Sequence, residues 1–154
     1  MIKILFVCYG NICRSTMAEF VFKDMIQKQN LDQQFRVASA GTSNEEIGNL
    51  VYPGTRNKLA EHGISTEGKY AVQLTEADYQ KYDYILGMDK QNMRNMARIF
   101  KGDPEQKVKL LLEYVGEEAD IADPWYTRNF DITYDDVYRG CTALLAHIMK
   151  EHNL

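Results

Sequence analysis

The chain opens on an apolar run, Ile2-Lys3-Ile4-Leu5-Phe6-Val7, broken only by Lys3. A short β-rich run of this kind is the pattern of a strand covered on both faces. Met17, Val21 and Met25 then recur at i, i+4 and i+8, with Phe22 and Ile26 beside them, which predicts an amphipathic helix. Thr16 and Glu19 have the spacing of a capping box at its start, and the polar stretch Gln27 to Gln34 ends it. Phe35 to Gly41 reads as a second strand closing on a glycine turn. Thr42 to Thr55, rich in Ser, Asn, Gly and Pro, is an irregular stretch. A short helix follows from Thr55 to His62, capped by Gly63, with His62 placed against the helix dipole. Another helix starts at Thr75-Glu76-Ala77-Asp78.

Tyr82 to Asp89 predicts a third strand running into a helix over Asn92 to Phe100, with Asp89 as its N-cap. Lys107 to Leu112 predicts a fourth strand. From Thr133 a long helix carries Val137, Cys141, Leu144, Leu145 and Ile148 along one apolar stripe. Cys141 is therefore a core residue, and His147 and His152 fall on the surface or at the end of that helix. Strands alternating with helices predict an α/β fold: a central four-stranded parallel sheet flanked by helices on both faces. The whole of 1–154 is read as one domain, large enough for a sizeable core.

Composition narrows the class. Apolar residues make up 45% and charged residues 26%, which is ordinary for a globular chain and argues against disorder. A net charge of −4 without a Lys/Arg cluster argues against a general nucleic-acid binder. No stretch approaches a membrane span, and the first apolar run is too short for a signal-peptide core. Three cysteines, none in a zinc-type spacing with histidine, fit a reduced cytoplasmic protein that needs no metal.

The candidate chemistry lies between the first strand and the first helix, in Cys8-Tyr9-Gly10-Asn11-Ile12-Cys13-Arg14-Ser15. The first amides of a helix lack intrahelical partners and sit at the positive end of its dipole. A loop of this length is enough to wrap amides around a tetrahedral oxyanion. Gly10 and Asn11 are residue types that tolerate the left-handed backbone such a loop needs. Arg14 adds a planar fork that binds two oxygens at once. The same positive surroundings favour the thiolate form of Cys8, and the Ser15 hydroxyl is placed to donate to it. The alternative for Cys8 is a small buried hydrophobe.

Two Asp-Pro pairs offer a candidate acid. Asp103-Pro104 stands between a helix and a strand with no aromatic beside it and reads as a turn. Asp123-Pro124 follows the last strand and precedes Trp125 and Tyr126. Aromatics there would stack on a substrate ring and exclude water, and burial would keep a proton on the Asp123 carboxyl, as a general acid requires.

The loop Val7 to Ser15 resembles the signature of the low-molecular-weight protein tyrosine phosphatases, and the resemblance runs along nearly the whole chain. It implies a Rossmann-like fold of the phosphatase I type, and hydrolysis of phosphotyrosine and aryl phosphate monoesters through a cysteinyl-phosphate. Cys8, Arg14 and Asp123 would be catalytic, with Tyr9, Gly10, Asn11, Ile12, Cys13, Arg14 and Ser15 binding phosphate. Asn11, Ser15 and Ser39 would support the loop, and Cys13 would be the redox partner that protects Cys8 as a disulfide. The implied partners are a tyrosine-phosphorylated protein or peptide, with inorganic phosphate or vanadate as ligands. The implied protein is a cytoplasmic monomer, a weak dimer being left open, without cofactor, metal, nucleic acid or membrane.

Two departures from the family pattern stand out. The pocket wall near Asn44-Glu45-Glu46 lacks the family's usual aromatic, so the pocket would be formed by Glu45, Glu46, Trp125 and Tyr126, and the carboxylates would repel acidic phosphopeptides. Lys69 and Val72 stand where the family often shows His and Arg, the His buttressing the phosphate loop. Three rivals share the fold: an arsenate reductase, which needs a further resolving cysteine; a phosphocarrier, which has no use for Asp123; and a phosphate-binding module, which has no use for Cys8 and Asp123 together.

Overall fold

The computed structural model describes all 154 residues. Four parallel strands form one sheet in the order β2-β1-β3-β4, with β1 at Ile2–Cys8, β2 at Phe35–Gly41, β3 at Tyr84–Gly87 and β4 at Val108–Leu110. The expected sheet is present. Alternation along β1 divides its side chains between two cores. Ile4, Phe6 and Cys8 join the larger one, with Met17 and Phe22 of α1 (Arg14–Lys28) and the stripe of α6 (Phe130–Glu151). Leu5 and Val7 face the smaller one, with Tyr79 of α3 (Asp78–Lys81) and Met96 and Phe100 of α4 (Lys90–Phe100). Helices therefore cover both faces, and α2 (Pro53–Ala60) and α5 (Pro124–Thr127) complete the set. Fully burying a side chain such as Phe6 stabilises by roughly 1.5–3 kcal/mol.

Several boundaries shift for physical reasons. α2 begins at Pro53 rather than Thr55, because proline suits the first helical position, and ends at Ala60. His62 lies beyond it and stacks on Tyr134 at 4.2 Å between ring centroids, so stacking holds it. α6 begins three residues early, at Phe130, where the Asn129 side chain accepts from the Ile132 N–H. The fourth apolar run pairs only over Val108–Leu110 and then turns into a 3₁₀ segment, Leu111–Val115, that packs beneath α6. No helix is long and apolar enough to cross a membrane.

The expected capping box at Thr16 and Glu19 does not form. α1 starts at Arg14, the Thr16 hydroxyl donates to the Cys13 carbonyl, and Glu19 turns inward beneath the sheet edge. The chain runs outward from β1 to β2 and then returns to β3 on the other side of β1. That reversal places the carboxyl end of β1 at a topological switch point, where open α/β sheets bind ligands.

Candidate active site

Residues 9–13 leave the end of β1 and enter α1 as a tight loop. Only Asn11 takes the left-handed conformation, at φ 60°. Gly10 does not, contrary to expectation; its missing side chain leaves room for Glu46, whose Cγ would lie 3.3 Å from a Cβ there. The tighter constraint is Gly41, which sits beside Cys8 in the β1–β2 register. A Cβ on Gly41 would lie 2.7 Å from the Tyr9 carbonyl oxygen and 3.1 Å from the Asn11 nitrogen, both backbone atoms. The loop can rest on β2 only because that residue is glycine.

The loop's hydrogen bonds are one-sided. Four carbonyls from Cys8 to Cys13 are occupied: Thr42 N–H donates to Cys8, Ser43 N–H to Tyr9, Tyr52 N–H to Ile12 and Met17 N–H to Cys13. The N–H groups of Tyr9, Gly10, Asn11, Ile12 and Cys13 find no acceptor in the protein, although Asn11, Ile12 and Cys13 are buried. Buried amides are almost always paired. Five consecutive unpaired ones beside a helix N-terminus make a receptor for an anion.

Cys8 Sγ lies 3.0 Å from Ser15 Oγ, within the reach expected of a hydroxyl donor. Asn11 Nδ2 donates to Ser15 Oγ at 2.8 Å and to Ser39 Oγ at 2.9 Å, and Asn11 Oδ1 accepts from the Val72 N–H. Lys69 donates to the Ser39 carbonyl at 3.0 Å and pairs with Glu19. So the support residues Asn11, Ser15 and Ser39 form one network, and a lysine backs it in this chain.

Arg14 is almost wholly buried, its guanidinium held at one nitrogen by Asp89 at 2.7 Å and by the Ile121 carbonyl at 2.9 Å. Its other terminal nitrogen lies 3.4 Å from Asp123. Burial works against the charge, but Cys8, Asp123 and Asp89 outweigh it and hold the Arg14 pKa above its usual value. Asp89 does cap α4, accepting from the Asn92 N–H in a capping box. Its second oxygen's grip on Arg14 is what sequence reasoning missed. A contact 75 residues apart leaves no local pattern. Removing one partner of a buried pair typically costs about 3–5 kcal/mol.

Asp123 sits at the start of α5, where its side chain accepts from the Trp125 N–H. The aromatics do not enclose it: Trp125 is 42% and Tyr126 81% exposed, and the carboxylate is partly open to solvent beside Arg14. Tyr52, also missed, links two sides of the site. Its N–H holds the Ile12 carbonyl while its ring stands edge-on to Trp125, 5.1 Å away, and stacks on Phe130.

One pocket is lined by Cys8, Cys13, Arg14 and Asp123 within, and by Glu45, Glu46, Trp125 and Tyr126 at its mouth. Tyr9 joins the rim, donating to Glu45 at 3.0 Å, and Glu46 is held by Asn49. The structure thus brings the expected site residues together. Asp103, by contrast, accepts from Lys107 and Val108 N–H groups and from Tyr79, and is a turn. Cys141 is fully buried among the α1–α6 side chains, where desolvation raises its pKa, so it cannot serve as a resolving thiol.

A thiol and a guanidinium at the two ends of an unpaired amide loop define a cysteine-dependent phosphatase class. The family model for low molecular weight phosphotyrosine protein phosphatases matches residues 3–154. A low molecular weight protein-tyrosine-phosphatase of Bacillus subtilis, YfkJ, is 41% identical across the full length of both chains. Its crystal structure superposes with a TM-score of 0.95, at 41% identity, covering 98% of this chain and 96% of that one. A Drosophila arginine phosphatase matches at a TM-score of 0.85 and 32% identity, covering 96% and 98%. This chain belongs to the low molecular weight phosphotyrosine protein phosphatase family.

Proposed function

We propose that this phosphatase hydrolyses phosphotyrosine in proteins or peptides by two displacements at phosphorus. The observation that carries the reading is the run of five unpaired amides, Tyr9 to Cys13, between Cys8 and Arg14. They and the Arg14 fork meet the equatorial oxygens, whose charge persists through both steps. The Cys8 sulfur attacks phosphorus while Asp123 gives its proton to the leaving phenolate, forming a cysteinyl-phosphate. Asp123 then takes a proton from water as that water attacks phosphorus, and Cys8 leaves with its electron pair. Ser15 supports the sulfur at both stages. The partly exposed Tyr9, Trp125 and Tyr126 offer an apolar wall to an aryl ring at the pocket mouth. Nothing in these steps requires a cofactor.

The test is steady-state hydrolysis of phosphotyrosine peptides with EDTA present, with phosphoarginine and phosphoserine peptides as comparisons. The expected result is EDTA-resistant turnover with phosphotyrosine far ahead of the others. A protein that turns over phosphoarginine faster would move the substrate to that class while leaving the mechanism at phosphorus intact.

Within the same reading Cys13 is the redox partner of Cys8. Burial first, then the charges of Cys8 and Asp123, push the Cys13 pKa up to about 12. Cys13 is therefore a protonated thiol at neutral pH and a slow resolver. After peroxide converts Cys8 to a sulfenic acid, Cys13 displaces water from it and closes the disulfide. Because the attacking species is the thiolate, that second step should accelerate by about tenfold per pH unit below the Cys13 pKa. Mass spectrometry of quenched time points checks this. A flat pH dependence, or a sulfenic acid that proceeds to sulfinic acid with no Cys8–Cys13 bond, would remove Cys13 from the role.

A further inference from the structure

Trp125 forms one wall of the pocket, yet it stands on a four-residue helix and is 42% exposed. A large side chain in that position turns among several rotamers unless something holds it. Two residues that do not line the pocket hold it here. The Tyr52 ring stands edge-on to the indole with 5.1 Å between centroids, and the Arg128 guanidinium lies over it, 5.5 Å from the centroid. Arg128 Nη1 donates to the Tyr52 hydroxyl at 2.6 Å, so the three side chains close a triangle in which each touches the other two. Tyr52 anchors the triangle. Its N–H donates to the Ile12 carbonyl of the phosphate loop at 2.9 Å, and its ring stacks on Phe130, 5.9 Å away and nearly parallel. Phe130 in turn lies against Gly54 of α2, where any Cβ would overlap its ring.

Arg128 closes the set at some expense. Its backbone is left-handed, at φ 60°, a conformation that favours glycine or asparagine over a long side chain. No carboxylate pairs with its guanidinium, and the side chain's one hydrogen bond is the one to Tyr52, so the cation is committed to the two rings. We propose that Arg128 is a positioning residue that, braced on Tyr52, holds the Trp125 indole in place as the wall against which a substrate's aryl ring packs. The wall is then ordered before the substrate arrives. Immobilising one such side chain during binding would cost about two- to tenfold in affinity. A substrate carrying a ring keeps that factor. A bare phosphate does not use it, because it meets the loop amides and Arg14 rather than the indole. Tyr52 and Arg128 therefore set the preference for aryl over compact phosphates, and they leave the chemistry at phosphorus to Cys8, Arg14 and Asp123.

This role rests on the pocket taking an aryl phosphate, as proposed above, so its test reads binding and fluorescence as well as turnover. Trp125 is the single tryptophan of the chain, and its emission reports its own mobility. Acrylamide quenching and time-resolved anisotropy are measured for the wild type, Arg128→Met and Tyr52→Phe, beside calorimetric dissociation constants for benzylphosphonate and inorganic phosphate. In Arg128→Met the indole should become more mobile and more readily quenched. Its affinity for benzylphosphonate should fall about two- to tenfold, while that for phosphate moves least. KM for a phosphotyrosine peptide should rise by a similar factor, and kcat should change less. Tyr52→Phe keeps the ring and loses only the acceptor hydroxyl; it should shift the same way by a smaller factor, and it carries the test if Arg128→Met does not fold. Arg128→Lys, which keeps a cation and a donor, should recover part of each loss. Wild-type anisotropy and quenching in whichever of Arg128→Met and Tyr52→Phe folds overturn the proposal, as does a loss of benzylphosphonate and phosphate affinity by equal factors. Should the wild type hydrolyse no phosphotyrosine while Arg128→Met still frees Trp125 and weakens benzylphosphonate alone, the phosphatase reading falls and the role of Arg128 stands.

Discussion

Cys8→Ser will leave no measurable hydrolysis of an aryl phosphate, while the protein still binds vanadate or inorganic phosphate. The substitution changes one atom in a residue that is already buried and bonded to Ser15, so fold and loop should persist. A serine hydroxyl holds its proton far more tightly than a thiol, and no side chain within bonding reach of residue 8 is a general base: its recorded partner is a hydroxyl. The anion receptor is built from the amides of residues 9–13 and from Arg14, none of which depends on sulfur. Turnover measured beside calorimetric phosphate binding separates the two functions. Residual turnover in Cys8→Ser within about a hundredfold of wild type would mean that the phosphoryl group never rests on residue 8, since general acid–base help alone supplies roughly 10²–10⁴-fold.

The second large effect is expected at Asp123. Asp123→Ala should lower kcat by roughly 10²–10⁴-fold for a phenyl phosphate. The loss should shrink as the leaving group becomes a better one, and be smallest for p-nitrophenyl phosphate. An acid matters in proportion to how badly the departing oxygen needs its proton. The side chain also caps α5 and faces Arg14, so the variant must be compared with Asp123→Asn, which keeps the volume and the cap acceptor. Both should show the same leaving-group trend. An equal loss for all leaving groups in both variants would make Asp123 a scaffold for Arg14 rather than an acid.

The sheet, its four strands and the α6 stripe were legible because their side-chain periods are local. β1 is apolar on both faces and α6 repeats every three to four residues, and no distant partner is needed to see either. Cys8 and Arg14 were legible as candidates because the loop's residue types match its chemistry, and Asp123 because it precedes two aromatics; all three line one pocket. What escaped were contacts between segments far apart in the chain: Asp89 and the Ile121 carbonyl on Arg14, Tyr52 between the two loops, and Glu19 with Lys69 behind Ser39. Glu19 was misread as a cap because three-residue spacing from Thr16 is a local signal, whereas its contacts with Ser39 and Lys69 arise only once β2 has packed. Gly41 was seen as a turn glycine. The reason only glycine fits is the loop lying on it, which no linear pattern records.

The segment carrying Asp123 is fastened on three sides. The Ile121 N–H donates to the Met88 carbonyl, the Thr133 hydroxyl to the Ala122 carbonyl, and Arg14 to the Ile121 carbonyl. An acid delivered by a swinging flap must close before each turnover, on a timescale of microseconds to milliseconds. Here the residues just before Asp123 are tied to the end of β3, to α6 and to Arg14 at the start of α1. On the proposed mechanism no loop closure need precede proton transfer, and capture of a phosphorylated side chain should be set by diffusion and by the charge it carries into the cleft.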